Sequence, residues 1–109
     1  MAKLSLKLTE AQFQRRVEDL ARLYRWRVAH FRPAMTKAGN WVTAVSGDGK
    51  GFPDLLLVRG RKIIVAELKV GKNKVTPEQM LWLDAFATAG VEAHIWRPEN
   101  WDKINEVLS

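Results

Sequence analysis

Apolar residues in this chain first follow a helical period, then an alternating one, then both again, and the changes of rhythm divide it into elements. Phe13, Val17, Leu20, Ala21 and Tyr24 recur at offsets of four, seven, eight and eleven, as one buried helix face requires. Thr9 stands where an N-cap belongs, and Gln12 three residues later completes a capping-box pattern. Trp26 to Phe31 is aromatic and branched, broken by Arg27 and His30, and predicts a short strand. From Arg32 to Phe52 the residues Pro33, Gly39, Gly47, Gly49 and Gly51 interrupt any period, so a long loop is expected, with room for a short strand over Trp41 to Val45. A loop of that length in a small domain usually carries function.

Two apolar runs follow, Asp54 to Val58 and Lys62 to Lys69, separated by Arg59, Gly60 and Arg61, which predicts an antiparallel hairpin at the centre of a sheet. Thr76, Pro77 and Gln79 then supply an N-cap, a first-turn proline and a second capping box for a helix over Pro77 to Ala89, ended by Gly90. Val91, Ala93 and Ile95 alternate with Glu92, His94 and Trp96 as a last strand. The intervening helix lets it pair parallel to Lys62–Lys69. Trp101, Ile104, Val107 and Leu108 predict a closing helix. The order is helix, strand, long loop, hairpin, helix, strand, helix, an α/β fold with a mixed β-sheet flanked by helices.

Composition narrows what such a fold could do. A chain of 109 residues, 47% apolar, suits one domain over 1–109 with one modest core. Eighteen Lys and Arg against twelve Asp and Glu give a formal charge of +6, so an anionic partner is expected. No apolar run is long enough to span a bilayer and no Lys-rich amphipathic helix dominates, which favours nucleic acid over a membrane surface. The charge is spread along the chain, however, and by itself is equally compatible with a basic protein that binds neither. The absence of cysteine excludes disulfides, thiolate metal sites and cysteine nucleophiles. Residues Met1 to Lys7 lack the apolar core of a signal peptide, so a cytoplasmic location is expected.

Charge inside the hairpin is the feature that points to chemistry. Side chains two apart in a strand share a face, so Glu67 and Lys69 project together while Ala66 and Leu68 turn away. The antiparallel turn brings Asp54, at the start of one strand, towards the end of the other. Two carboxylates meeting at one point repel unless a cation lies between them, and without cysteine the natural choice is a hard, oxygen-bound ion such as magnesium. The bland alternative, a surface Glu–Lys pair, contributes little. It fits poorly here, because Ile63, Ile64, Val65, Ala66, Leu68 and Val70 describe a strand covered on both faces. Asp54 taken alone could be a turn residue after Pro53. His30 and His94 have no second histidine at ligand spacing and read as partly buried strand histidines.

Gly51-Phe52-Pro53-Asp54, followed about a dozen residues later by Glu67-Leu68-Lys69, resembles the PD-(D/E)xK nuclease superfamily and within it the VRR-NUC family. The first helix, the hairpin and Thr76-Pro77-Glu78-Gln79 come in that family's order, and the likeness runs from Thr9 to Trp101. The resemblance implies a restriction-endonuclease-like core forming a single nuclease domain. It implies Asp54 and Glu67 as ligands of Mg2+, with Mn2+ as a substitute, the Leu68 carbonyl as a third ligand, and Lys69 serving the attacking water. It further implies cleavage to a 5′-phosphate and a 3′-hydroxyl, and an acidic residue on the first helix near the metal. Glu10 and Glu18 are the candidates; Glu10 shares the inward stripe with Phe13 and Val17, whereas Glu18 is rotated from Val17, so Glu10 is preferred. An acid there also suits the helix dipole without any metal. Gln79 is an active-site companion in this family, although its capping role would alone account for it.

Lys50, Lys72 and Lys74 cluster around this site in sequence, and Arg32 and Lys37 lie in the loop leading to Asp54; backbone phosphates are their expected targets. Trp41 in that loop is expected to pack on the sheet and not to stack on a base. No base-reading helix stands out, so recognition of DNA shape is expected. Small stand-alone members of the family, including phage-encoded ones, resemble Holliday-junction resolvases. The resemblance therefore implies branched DNA as substrate, a homodimer suited to a two-fold junction, and the cytoplasm of a bacterial host. Trp96, Trp101 and Leu108 are candidates for exposed dimer contacts. The rival readings are a catalytically inactive nucleic-acid-binding module on the same fold, and an interaction protein whose basic charge is incidental.

Overall fold

The computed structural model of the protein describes residues 7–31, 34–35, 38–39, 41–42 and 48–109. Its elements are α1 (Glu10–Leu23), β1 (Arg27–His30), β2 (Ala34–Met35), β3 (Trp41–Val42), β4 (Leu55–Arg59), β5 (Lys62–Leu68), α2 (Pro77–Thr88), β6 (Glu92–Trp96) and α3 (Trp101–Leu108), with a 3-10 turn at Pro98–Asn100. Both capping boxes form. Thr9 Oγ1 accepts from Gln12 N at 3.1 Å and Gln12 Oε1 from Thr9 N at 2.9 Å. Thr76 and Gln79 repeat the exchange at 3.2 and 2.8 Å. Each satisfies two amides that a helix start leaves without a partner. Gly90, at φ +86°, takes the left-handed position that ends α2.

The four-stranded sheet has the order β1-β4-β5-β6. β1–β4 and β4–β5 are antiparallel and β5–β6 is parallel, the mixed sheet expected of a hairpin followed by a helical crossover. Arg59 pairs with Lys62, leaving Gly60 and Arg61 as a two-residue turn in which Gly60 adopts φ +61°. The strand predicted over Trp41 to Val45 is present at Trp41–Val42, paired with β2 apart from the main sheet, and its remainder lies outside the described residues.

Alternation along β4 and β5 divides the core. Leu55, Leu57, Ile64, Ala66 and Leu68 face α1 and α3 and pack with Phe13, Val17, Ala21, Ile104 and Leu108. Val65 and Glu67 face the other way, towards α2. Two expectations need correction here. Trp96 and Leu108 are 2% and 0% exposed, members of the main core, and are not available as dimer contacts; Trp101 is half-buried against the same cluster. The cause is that α3 packs against α1 and joins Ile104 and Leu108 to the core cluster that also holds Trp96, closing the apolar face that the sequence alone leaves unassigned. His30 is exposed and not partly buried, because it ends an edge strand; His94 is half-buried, as expected. No described helix is long and apolar enough to cross a membrane.

Candidate active site

The site forms where β4 begins and β5 ends. Gly51 comes first: at φ +83° it lies so close to α2 that a Cβ would sit 2.6 Å from the carbonyl carbon of Glu78 and 2.8 Å from the amide nitrogen of Gln79. Only glycine fits that backbone approach. Phe52 then enters an aromatic cluster, its ring edge-on to Phe31, Trp82 and Phe86 at centroid distances of 5.2, 5.0 and 5.8 Å. Trp82 Nε1 donates to the Asp48 carbonyl at 2.8 Å, tying the same loop to α2. Pro53 is fully buried, and Asp54 emerges with its backbone already committed, the Asp54 carbonyl accepting from Phe31 N at 2.8 Å.

Asp54 Oδ2 accepts the Leu68 amide at 2.9 Å, which draws the start of β4 against the end of β5. Glu67 is 1% exposed; its Oε2 accepts from Gln79 Nε2 at 2.9 Å and lies 3.8 Å from Lys69 Nζ. Gln79 forms its capping box and also reaches Glu67. Its Oε1 closes the capping box and its Nε2 holds Glu67, so the amide is fixed at both ends. The other oxygen of Glu67, Oε1, is buried and has no hydrogen-bond donor among the described residues. Asp54 is in hydrogen-bonding reach of Glu67, but two ionised carboxylates are both acceptors and can bond only if one takes up a proton. Burial, and then the Asp54 charge and contact, push the Glu67 pKa from 4.5 up to about 8, against the lowering pull of Lys69. Glu10 adds to the rise.

That last effect separates the two helix-one candidates. Glu10, half-buried in the first turn of α1, acts electrostatically on Glu67. Glu18 is engaged elsewhere, accepting from Gln14 Nε2 at 2.9 Å and Arg22 Nη2 at 3.1 Å. Contrary to the helical-wheel reading, Glu18 is itself buried, at 8% exposure, because the inward stripe of α1 also includes Gln14. Among the described residues no three Asp, Glu, His or Cys side chains group closely enough to hold a metal ion. Glu10 therefore stays apart from the Asp54–Glu67 pair.

The remaining predicted contacts surround this centre unevenly. Lys50 is exposed beside Glu78, at 3.5 Å, and Lys72 and Lys74 are exposed between β5 and α2. Arg97, which sequence reasoning passed over, supports that segment by donating to the Gly71 and Asn73 carbonyls at 3.2 and 2.6 Å. Arg32, Lys37 and the side chain of Trp41 lie outside the described residues. Gly51 stands out in the sequence only as part of a motif; its contact with α2 joins residues too far apart in sequence for any local pattern to reveal.

A mixed sheet flanked by helices, with Asp, Glu and Lys converging where a hairpin meets a following helix, defines a PD-(D/E)xK-like nuclease core. The chain belongs to the VRR-NUC domain family, which matches residues 8–98 and so takes in every element from α1 to β6. No curated protein and no solved structure matches the chain significantly.

Proposed function

We propose that the protein is a magnesium-dependent DNA endonuclease acting through Asp54, Glu67 and Lys69. The observation that carries this reading is a buried Glu67 whose Oε1 has no donor among the described residues, beside a second carboxylate, Asp54, that helps burial push the Glu67 pKa up to about 8. An arrangement that repels itself without a cation is suited to holding one. Asp54, Glu67 and the Leu68 carbonyl offer two carboxylates and a neutral oxygen. That fits magnesium, which keeps several waters and needs few protein ligands; manganese would take the same donors. When bound, the ion would offset charge on the phosphodiester and make a nearby water easier to deprotonate.

The residues of the chain account for the rest. Gln79 holds Oε2 of Glu67 and leaves Oε1 without a donor among the described residues. Lys69, within 3.8 Å of Glu67, supplies an ammonium that orients the attacking water or balances charge developing on the phosphoryl oxygens. Glu10 adds negative potential that strengthens cation binding without needing to touch the ion. Cleavage on the bridging 3′ oxygen leaves a 5′-phosphate and a 3′-hydroxyl. The family resemblance and the basic charge further support branched DNA, such as a Holliday junction, as substrate. They also support a homodimer placing two sites on it, as in stand-alone phage-encoded members, working in a bacterial cytoplasm.

Magnesium-dependent cleavage of labelled four-way junction, flap and linear duplex DNA, with Asp54→Ala as control, tests the reading. Junction cutting by wild type alone is the expected result. The absence of a three-carboxylate cluster among the described residues favours one rival, a nucleic-acid-binding module without turnover. Salt-sensitive DNA binding with no cutting by either protein would establish that rival.

A further inference from the structure

We infer that the groove between α1 and the end of β1 carries the sugar-phosphate backbone of DNA flanking the scissile bond. Arg15 and Arg22 would be its phosphate contacts and Glu18 the residue that positions Arg22. The inference rests on the nuclease reading and adds to it the surface along which the substrate runs. Charge placement on the three helices is the first argument. α2 contains no Lys or Arg but two acids, Glu78 and Asp84, and α3 has Asp102 and Glu106 against Lys103. On α1 the acids Glu10 and Glu18 turn inward, leaving Arg15, Arg16 and Arg22 exposed with Asp19 as the one exposed acid. Among the exposed side chains of these helices, only those of α1 carry an excess of positive charge, three arginines against one acid.

Geometry is the second argument. A groove of about 410 Å3 is walled on one side by α1, through Gln14, Arg15, Glu18, Asp19 and Arg22, and on the other by His30. His30 pairs with Leu55, the residue after Asp54, and Phe31 N bonds the Asp54 carbonyl, so this wall ends at the proposed site. Arg15 and Arg22 stand two helical turns apart on one face, a span of about 10 Å, or roughly three base-pair steps along the axis of a duplex.

Construction of the Arg22 support is the third. An ordinary surface i,i+4 pair uses two exposed side chains and contributes little. Here the carboxylate is buried, held by the equally buried Gln14, and fixes a guanidinium whose side chain remains 57% exposed. Five N–H donors in a rigid fork leave Arg22 able to hold Glu18 and bind a phosphate together.

Fluorescence anisotropy on labelled junction and duplex DNA across a salt series, in calcium to prevent cutting, tests this with Arg15→Ala, Arg22→Ala and Glu18→Gln. Lys103→Ala on α3 serves as control, and thermal unfolding checks each fold. Each arginine variant should lose roughly fivefold in affinity and flatten the dependence of log K on log salt by about one unit, while the control keeps wild-type values. Glu18→Gln should weaken binding in the wild-type background and have no further effect beside Arg22→Ala, a dependence that general loss of structure would not produce. Unchanged affinity and slope in both arginine variants would overturn the groove assignment, even if wild type cuts DNA normally. A wild type that fails to cut, with the arginine effects intact, would instead remove the nuclease reading and leave the binding surface standing.

Discussion

The two ends of β4 bury charge in opposite ways. At its far end Arg59 places its guanidinium 4.5 Å over the Trp26 ring and donates to the Tyr24, Leu108 and Ser109 carbonyls at 2.9, 3.0 and 3.3 Å. Trp26 Nε1 shares the Leu108 carbonyl at 2.9 Å. The carbonyls that α1 and α3 leave without partners at their C-termini thus receive donors, and the cation meets the negative ends of two helices. At the near end Asp54 and Glu67 crowd acceptors together, and one buried oxygen has no donor among the described residues. The contrast teaches that buried polarity serves two purposes in one hairpin. Arg59 fastens helices to the sheet, whereas the Asp54–Glu67 pair stores repulsion that a cation can relieve.

The comparison is sharpened first at the acidic end. Glu67→Ala should lower magnesium-dependent cleavage by at least roughly a thousandfold, since it removes a proposed ligand, while the folded state survives. Thermal unfolding without metal is the companion measurement; a variant that no longer folds would show Glu67 to be a structural residue and break the contrast.

Stability against pH in chelator is the next test. Because the Glu67 pKa is raised from 4.5 to about 8 in the folded state, folding takes up a proton between those values. Stability should therefore be greatest at the acid side of this window and fall as pH rises through it. The loss should reach a few kcal/mol, since each pH step inside the window removes up to about 1.4 kcal/mol. Magnesium should reverse the trend at the alkaline side, and Glu67→Gln should flatten it. A metal-free protein that gains stability from pH 5 to 8 would contradict the stored repulsion.

Arg59→Ala probes the other end and should cost about 2 kcal/mol by denaturant titration, with turnover retained at temperatures where the variant is folded. Equal damage to turnover and stability would mean the two ends are not separable. The smallest effect is expected beside it: Arg25, just past α1, adopts φ +70°, a conformation that favours glycine. Arg25→Gly should stabilise the protein by about 1 kcal/mol in the same titration, offset in part by the flexibility glycine brings to the unfolded chain.

Much of this architecture was legible in the sequence. Both capping boxes, the hairpin, the parallel return of β6 and α3 follow from period, turn residues and crossover rules that act over a few neighbours. The candidate site was legible as a set of residues, since Glu67 and Lys69 need only strand alternation to share a face and the hairpin turn brings Asp54 to them. Gln79 carried a local signal as well, but one that explained only half of its contacts. Misreadings fell where packing decides burial: Trp96 and Leu108 looked available for a partner until α3 packed on α1 and closed the core, and Glu18, rotated from Val17, is buried all the same beside Gln14.

Sequence alone, then, determined the elements, their order and the residue types brought to one edge of the sheet, because local geometry and short turns decide those. Tertiary structure decided the electrostatics. The donorless oxygen of Glu67, the closeness of Gly51 to the start of α2 and the groove that Arg22 shares with His30 all depend on distances between segments remote in the chain. Charges acquire their energies from what surrounds them, and those surroundings exist only after the chain has folded.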